Sequence, residues 1–512
     1  MDLLSSIFII IFFLCLFLLL ARKNSKQNIK DHKNLVGTKL PPGPRKLPLI
    51  GNLHQLAMAG SLPHHILRDL SHKYGPLMHL QLGEISAVIV SSPEMAKEIM
   101  KTHDLTFAQR GEILGAKIIA YDSTDIAFAP YGEYWRQMRK ICTIELLSAK
   151  RVQSFTFVRE DEVAKLVESI RMSSGTAINL TTKIFSLVST VVCRTAFGKK
   201  TKDEDEFLKL MKQVVELTGG FDLADLFPSV KLVHIITRME AKLMSMHKKL
   251  DKIIGKIVKD HQVKKMQKEV EGKGESSGVE DLVDVLLRVQ QNGDLEIPIT
   301  DNNVKAVIWD IFAAGTDTTA TTLDWAMAEL MRNPRVREKA QAEIRGAFGG
   351  KKNIQEKDLV ELSYLKLVVK ETLRLHPPGP LLLPRECGKP CDVGGYKIPT
   401  GTKVIVNAWA IGRDPEYWRD AERFLPERFQ GTSIDYKGSN FEYIPFGAGR
   451  RMCPGSSFAL PSIELTLACL LYHFNWELPD GMKPEDLDMS EVFGVTVAKK
   501  NNIYLIPTPH SP

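Results

Sequence analysis

Residues 445–455 read Pro-Phe-Gly-Ala-Gly-Arg-Arg-Met-Cys-Pro-Gly, and an apolar run over 458–474 follows them. Few folds need a lone cysteine in a glycine-rich, doubly basic loop at the head of an apolar helix. Cysteine is nucleophilic or metal-binding only as thiolate, and nearby cations or a helix N-terminus lower its pKa. Arg450 and Arg451 stand just before Cys453. Pro454 suits the first position of a helix, because its φ is pre-organised and its missing N–H goes unused there. Cys453 is therefore expected at the N-cap, at the positive end of the helix dipole. Gly447, Gly449 and Gly455 let the backbone bend tightly against something flat and bulky. Phe446 would pack on that object, and Arg451 would neutralise an acid group on it. A thiolate, an aromatic ring, close-approach glycines and an anion partner are what a haem iron with propionates requires. An isolated cysteine with none of these neighbours would read as a free thiol in a buried turn.

A second stretch breaks local rules. Thr300-Asp301 is a good N-cap before an apolar run, and Pro334 stops it, so 302–333 is expected as one long helix across the domain centre. Inside it lies Ala313-Ala314-Gly315-Thr316-Asp317-Thr318-Thr319. A mid-helix glycine costs ~1 kcal/mol relative to alanine, and β-branched threonines add smaller losses. Such a break points to function. Gly315 and its small neighbours would admit a flat cofactor. Asp317 and Thr318 would form a proton relay of the kind general acid–base chemistry needs. Taken alone, the same residues also fit threonines bonding back to carbonyls in a kinked helix.

The remaining signals are organisational. Residues 3–21 are apolar apart from Ser5 and Ser6, and Arg22, Lys23, Lys26 and Lys30 follow. That length spans most of a bilayer core, and basic residues stay cytosolic. An uncleaved transmembrane signal anchor over 1–21 is expected, then a basic, proline-rich linker over 22–48 that sets the angle of a body at 49–512. The net charge of +7 is spread along the chain, which favours a membrane surface or an acidic partner over nucleic acid. Seven cysteines without paired spacing fit a reducing compartment.

Along the body, helices are expected over 63–74, 92–100, 131–142, 152–198, 203–219 and 231–268, with a β-hairpin over 77–91 and a polar, mobile loop over 267–280. The stretch 106–130 reads as an irregular binding loop. Trp135 and Arg139 share one helical face at i,i+4, as a surface pair or an anion clamp with an indole donor. Glu371 and Arg374 stand i,i+3, a spacing common in solvated pairs, and Arg428 could complete a buried, structural three-member network with them.

With these motifs in order, the chain resembles a haem-thiolate monooxygenase, a cytochrome P-450. Phe446, Gly449, Arg451, Cys453 and Gly455 meet the family's cysteine loop. Ala314, Gly315, Asp317 and Thr318 meet its central-helix pattern. Glu371 with Arg374, the Pro-Glu-Arg-Phe piece from Pro426 and the Pro-Pro-Gly-Pro hinge from Pro41 complete the set. The wording around them is similar to that of plant microsomal members of the large clan oxidising terpenoids, alkaloids and phenolics. The resemblance implies a mainly α fold: one large helical domain with small β-sheets, plus the N-terminal transmembrane helix. It implies haem b, with Cys453 as axial iron ligand and Trp135, Arg139, Arg385 and Arg451 at the propionates. Thr318 and Asp317 would deliver protons to bound O2. Electrons would come from NADPH through a separate cytochrome reductase, docked at Arg139, Lys140 and Arg450, at the endoplasmic reticulum membrane with the catalytic domain facing the cytosol. Pro461, inside the helix after the cysteine, departs from the pattern, and a bend or late helix start is expected there.

Substrate contacts are implied in 106–130, 219–227, 308–313, 378–383 and 492–497. These stretches are mostly apolar, which fits a lipophilic substrate of modest size. A terpenoid is the first expectation, and a phenolic, flavonoid or alkaloid scaffold the second. A reductase-independent haem isomerase or dehydratase and a non-catalytic haem-binding membrane protein are competing readings. The intact Asp317–Thr318 pair weighs against both.

Overall fold

The helix Asp301–Arg332 organises the molecule. Thr300 caps it: its hydroxyl accepts the Asn303 N–H at 3.3 Å, and the Asn303 side chain accepts the Thr300 N–H at 2.8 Å. That reciprocal box satisfies donors the first helical turn leaves free. Most of the helix is buried. It packs against Leu180–Phe197 on one side and Ser456–His473 on another. The computed structural model describes residues 39–56, 62–200, 204–219, 222–270, 280–293 and 295–510. The expected anchor at 1–21 and the linker up to 38 lie outside the described residues.

Around the central helix stand Thr156–Arg171, Glu204–Leu217, Met239–Val270, Pro334–Phe348 and Ser363–Leu375, sharing one apolar core. A four-stranded sheet lies to one side. The hairpin Leu77–Leu82/Ile85–Val90 is its antiparallel edge; Ile85–Val90 then pairs in parallel with Lys403–Val406, which carries Arg385–Glu386 antiparallel on its far side. Three smaller sheets complete the strands among the described residues. This is the mainly helical arrangement with small sheets that the motifs implied. Among the described residues, Leu180–Phe197 alone has the length and apolarity to cross a bilayer, and it lies largely buried against the central helix.

Several expectations change. The proline-rich segment from Pro42 onward is docked on the sheet instead of standing free. The Pro42 carbonyl accepts the His79 N–H at 2.8 Å, and a Cβ on Gly43 would sit 2.0 Å from the His79 carbonyl oxygen. Only glycine permits that approach. The helix expected over 231–268 is two, Lys231–Thr237 and Met239–Val270, with Arg238 left-handed at φ 50° between them. The second reaches Val270, into the stretch read as a loop, because its Lys, Gln and Glu residues favour helix. The binding loop at 106–130 contains a short helix, Leu114–Ile119.

Ser456–His473 runs continuously through Pro461, so the late start expected at that proline does not occur. Pro461 lies in the second turn, where its ring removes one hydrogen bond, to the Ser457 carbonyl. The buried residues that follow, Ile463, Leu467 and Leu470 among them, hold the helix against the core.

Candidate active site

The cysteine loop is built by two left-handed glycines, Gly447 at φ 68° and Gly449 at φ 69°. A Cβ on Gly449 would lie 2.1 Å from the Met100 carbonyl oxygen, so the loop closes only with glycine there. The Cys453 N–H donates to the Phe446 carbonyl at 2.9 Å, folding the loop back on itself, and Phe446 packs edge-on to Tyr436. Cys453 is not the N-cap. The helix begins at Ser456 with Gly455 as its cap, because the backbone still turns at Pro454. The thiol nevertheless receives the Gly455 N–H at 3.4 Å. Its pKa is raised, not lowered: burial dominates, and the Gly455 and Ser456 N–H groups and Arg139 offset it only in part. The adjacent arginines turn away. Arg450 faces Asp104, and Arg451 reaches the loop at 108–129.

Four guanidinium groups gather beside this loop. Arg451 donates to the carbonyls of Ala108 at 2.9 Å and Ala129 at 2.6 Å and lies over the Trp135 ring at 4.2 Å. Arg385 donates to Asp104 at 2.9 Å and to the Ala448 carbonyl at 2.7 Å. Arg139 donates to the Met452 carbonyl. The fourth, Arg110, was not singled out from the sequence. It donates to the carbonyls of Leu383 and Pro384, both at 2.6 Å, and of Ala127 at 3.0 Å. Burial, then repulsion from Arg451 and Arg385, pushes the Arg110 pKa well down; burial and Arg385 bring Arg451 to about 10. Four cations this close, Arg385 buried and the others half-buried, with few carboxylates among them, fit a ligand carrying acid groups. Trp135 acts differently from expectation. Its indole N–H donates to the Ile126 carbonyl at 3.0 Å, so the ring is a platform under Arg451 and ties down the loop.

The central helix supplies a third wall. Ala314 is exposed in the middle of an otherwise buried helix, with Ile311, Gly315 and Thr318 half-exposed beside it. Those positions form one helical stripe. A Cβ on Gly315 would meet Val192 at 3.5 Å, an ordinary contact. The Thr318 hydroxyl donates to the Ala314 carbonyl at 2.7 Å, the back-bonded arrangement, which leaves its oxygen free to accept. Asp317 is buried, with its Oδ2 lacking a hydrogen-bond partner, and burial raises its pKa.

Cys453, the arginine cluster and this small-residue stripe fit a thiolate-bound, dianionic planar cofactor. The comparisons agree. A family model, Cytochrome P450, matches residues 41–506. The chain belongs to the cytochrome P450 family. It is 61% identical over 480 residues to cytochrome P450 71D8 of Glycine max, covering 94% of this chain and 95% of that one. It is 54% identical over 512 residues to premnaspirodiene oxygenase of Hyoscyamus muticus, covering 100% and 99%. A solved zebra fish cytochrome P450 with abiraterone matches with a TM-score of 0.74 at 26% identity, over 88% of this chain and 99% of that one. As a P450 the chain is a monooxygenase that uses haem b.

In this P450 the stretches implied for substrate contact do converge. Asp310 on the central helix accepts the Ile126 N–H at 2.8 Å and the Ala127 N–H at 3.3 Å, and Asp125 acts on its charge. Phe493 lies 3.2 Å from the Cβ direction of Gly219, Val497 bonds the Pro378 carbonyl, and Leu381 joins Phe227 and Phe493 in one apolar cluster.

Burial, then repulsion from Asp125, pushes Asp310 well up, and burial brings Asp125 to about 6, so the folded pair keeps a proton to higher pH than free carboxyls do. An unfolded chain would release that proton near pH ~4. The folded state therefore binds the extra proton, and the pair's contribution to stability is full at low pH and falls as pH rises through about 6. Asp310→Asn is expected to gain stability relative to wild type as pH goes from about 5 to about 8. Thermal melting of the two holoproteins measures it, and a difference that stays constant over that range contradicts the retained proton.

Proposed function

We propose that this P450 is a membrane-anchored haem-thiolate monooxygenase that inserts one oxygen atom from O2 into a lipophilic terpenoid, with NADPH electrons delivered by a separate cytochrome reductase. The observation that carries the reading is the gathering of four arginines around the Cys453 loop in a chain whose residues 41–506 match the family. Cys453 would be the axial iron ligand, assisted by the Gly455 N–H. Arg110, Arg139, Arg385 and Arg451 would hold the two propionates, with Trp135 beneath Arg451 and Phe446 against the ring face. Thiolate-ligated haem supplies O2 binding and O–O cleavage.

The chain's own residues then bind, shield and deliver protons. Asp317, whose pKa burial raises, would pass protons toward the site. Thr318 offers its hydroxyl oxygen to a water that carries them inward. Removing a positioned general acid typically costs about 10²–10⁴ in rate. Asp317→Asn is expected to lower product formation by about 10² while NADPH oxidation continues. A variant with wild-type product yield per NADPH would remove Asp317 from this role.

Three lines support the substrate and its setting. The converging stretches are apolar, and premnaspirodiene oxygenase shares their whole length. Residues 1–21 would anchor the chain in the endoplasmic reticulum membrane, with 22–48 as linker and 49–512 as the cytosolic catalytic domain. Exposed Lys140 and Arg450 offer a basic face to an acidic reductase surface. The test is reconstitution with reductase and NADPH against sesquiterpene hydrocarbons, flavonoids and alkaloids in parallel. NADPH-dependent oxidation of a terpene is expected. Conversion confined to the phenolic or alkaloid arm would overturn the substrate class, and conversion without NADPH would overturn the reaction.

A further inference from the structure

The helix Pro63–Tyr74 meets the C-terminal hairpin of Glu491–Val492 and Ala498–Lys499 through two successive histidines and one carboxylate. His64 Nε2 lies 2.9 Å from Glu491 Oε2, and His65 Nε2 lies 3.2 Å from the same oxygen. Only the first contact is a hydrogen bond. His65 Nε2 is buried without a hydrogen-bond partner, although that oxygen is within reach. A buried polar atom left unpaired beside a carboxylate calls for an explanation. A cation shared by the three groups supplies one.

The donor set and its surroundings suit such an ion. One ligand atom from each of the three residues lies within 4.8 Å of the other two. Tetrahedral zinc, with bonds of about 2.0–2.2 Å to nitrogen and oxygen, takes ligand atoms roughly 3.3 Å apart, and it accepts two imidazoles, a carboxylate and a water. Trp409 stacks on the His65 ring at 4.3 Å and meets the His64 ring edge-on at 5.0 Å, so both rings are held by packing. The Asn407 side chain donates to the His64 carbonyl at 2.8 Å and fixes the backbone there. Burial lowers the His64 pKa, so its ring is neutral at neutral pH and has a lone pair to give. The Glu491 carboxyl is held below the ordinary range by the two histidines, against the opposing pull of burial. The nearby Arg413, which lies over Trp409, has its charge answered by Glu422 at 3.1 Å. His65, Trp409 and Glu491 line a cleft of about 880 Å³, which gives an ion its way in. A second group of this kind, His261 with Asp281 and Asp284, is already satisfied: His261 bonds the Ile257 carbonyl and Asp281, and Asp281 accepts the Asp284 N–H.

We propose that His64, His65 and Glu491 form a binding site for a divalent transition-metal ion, zinc by its donor set, that ties the helix Pro63–Tyr74 to the C-terminal hairpin. The turn of that hairpin carries Phe493, which stands against Gly219, so the ion steadies a segment implied in substrate contact.

The experiment uses the full-length holoprotein without a histidine tag, treated with a chelator and then given excess Zn2+. Zinc per chain is measured by atomic emission, Zn2+ affinity by calorimetric titration, and melting temperature with and without Zn2+. Wild type is expected to take up one zinc per chain and to melt higher with it, since an ion that binds only the folded state stabilises that state. His65→Ala and the shape-keeping Glu491→Gln are each expected to weaken Zn2+ binding by more than about 10-fold, beyond what loss of a supporting partner alone costs, and to lose the melting shift. Haem content and melting without zinc show that each variant is folded. Mg2+, which prefers oxygen ligands, is expected to give no shift. If wild type takes up no zinc, the three residues are an ion pair and the proposal is overturned. Zinc that neither variant loses sits elsewhere, and a Mg2+ shift equal to that of Zn2+ marks an oxygen-ligand site; either result overturns it as well.

Discussion

Glu371→Gln is expected to destabilise the folded protein by roughly 3–5 kcal/mol, the usual cost of removing one partner of a buried ion pair. Glu371 and Arg374 have no exposed side-chain surface. Arg374 grips the carboxylate with two donors, at 2.7 and 2.8 Å, and spends its others on the carbonyls of Gly412, Ala421 and Arg423. Glu371 in turn accepts from Arg428 at 3.0 Å and from the Leu425 N–H at 2.7 Å. The network clips the segment 412–428 onto the helix Ser363–Leu375. Glutamine would keep the shape but leave the Arg374 charge buried and uncompensated. Native domains hold only about 5–15 kcal/mol in total, so the loss takes most of the margin. Arg428→Ala, at the partly exposed edge of the network, is expected to cost less. Denaturant unfolding of the holoproteins orders the two. A glutamine variant within ~1 kcal/mol of wild type would show that the buried charge is dispensable, against the cost expected for such a pair.

Cys453→Ala is expected to abolish oxygenation while leaving the fold intact. The Cys453 side chain holds little of the loop together: its sulfur only accepts from nearby N–H groups, Gly455 at 3.4 Å among them. The loop is held instead by Gly449 against Met100, by Arg385 on the Ala448 carbonyl and by Arg139 on the Met452 carbonyl. Removing the sulfur should therefore cost little stability, and the protein should keep a site for the cofactor's acid groups. What disappears is the thiolate donation that favours O–O cleavage. The carbonyl complex of the reduced variant should lose the thiolate-type absorption band. A variant that kept the band would have its iron bound by another residue, and the assignment of Cys453 would fail.

Much of this was legible in the sequence because its signals are local. The cysteine loop, the capped central helix and the Glu371–Arg374 spacing each need only a few neighbouring residues, and each sits where its motif implied. What escaped depends on contacts distant in sequence. Arg110 gains its place from carbonyls at 383 and 384, far along the chain. Asp125 and Asp310 lie far apart in sequence, and no spacing reveals that they meet. The direction of the Cys453 shift failed for the same reason. Two adjacent arginines suggested a lowered pKa, but their side chains go elsewhere and burial wins.

One atom of O2 is expected to end in a terpenoid product. Turnover under ¹⁸O2 with the holoprotein, reductase, NADPH and the sesquiterpene hydrocarbons measures this most directly. The expected product is a hydroxylated terpene carrying one ¹⁸O atom, formed only when NADPH is present and absent with Cys453→Ala. Product oxygen that came from water, or product formed without NADPH, would contradict it.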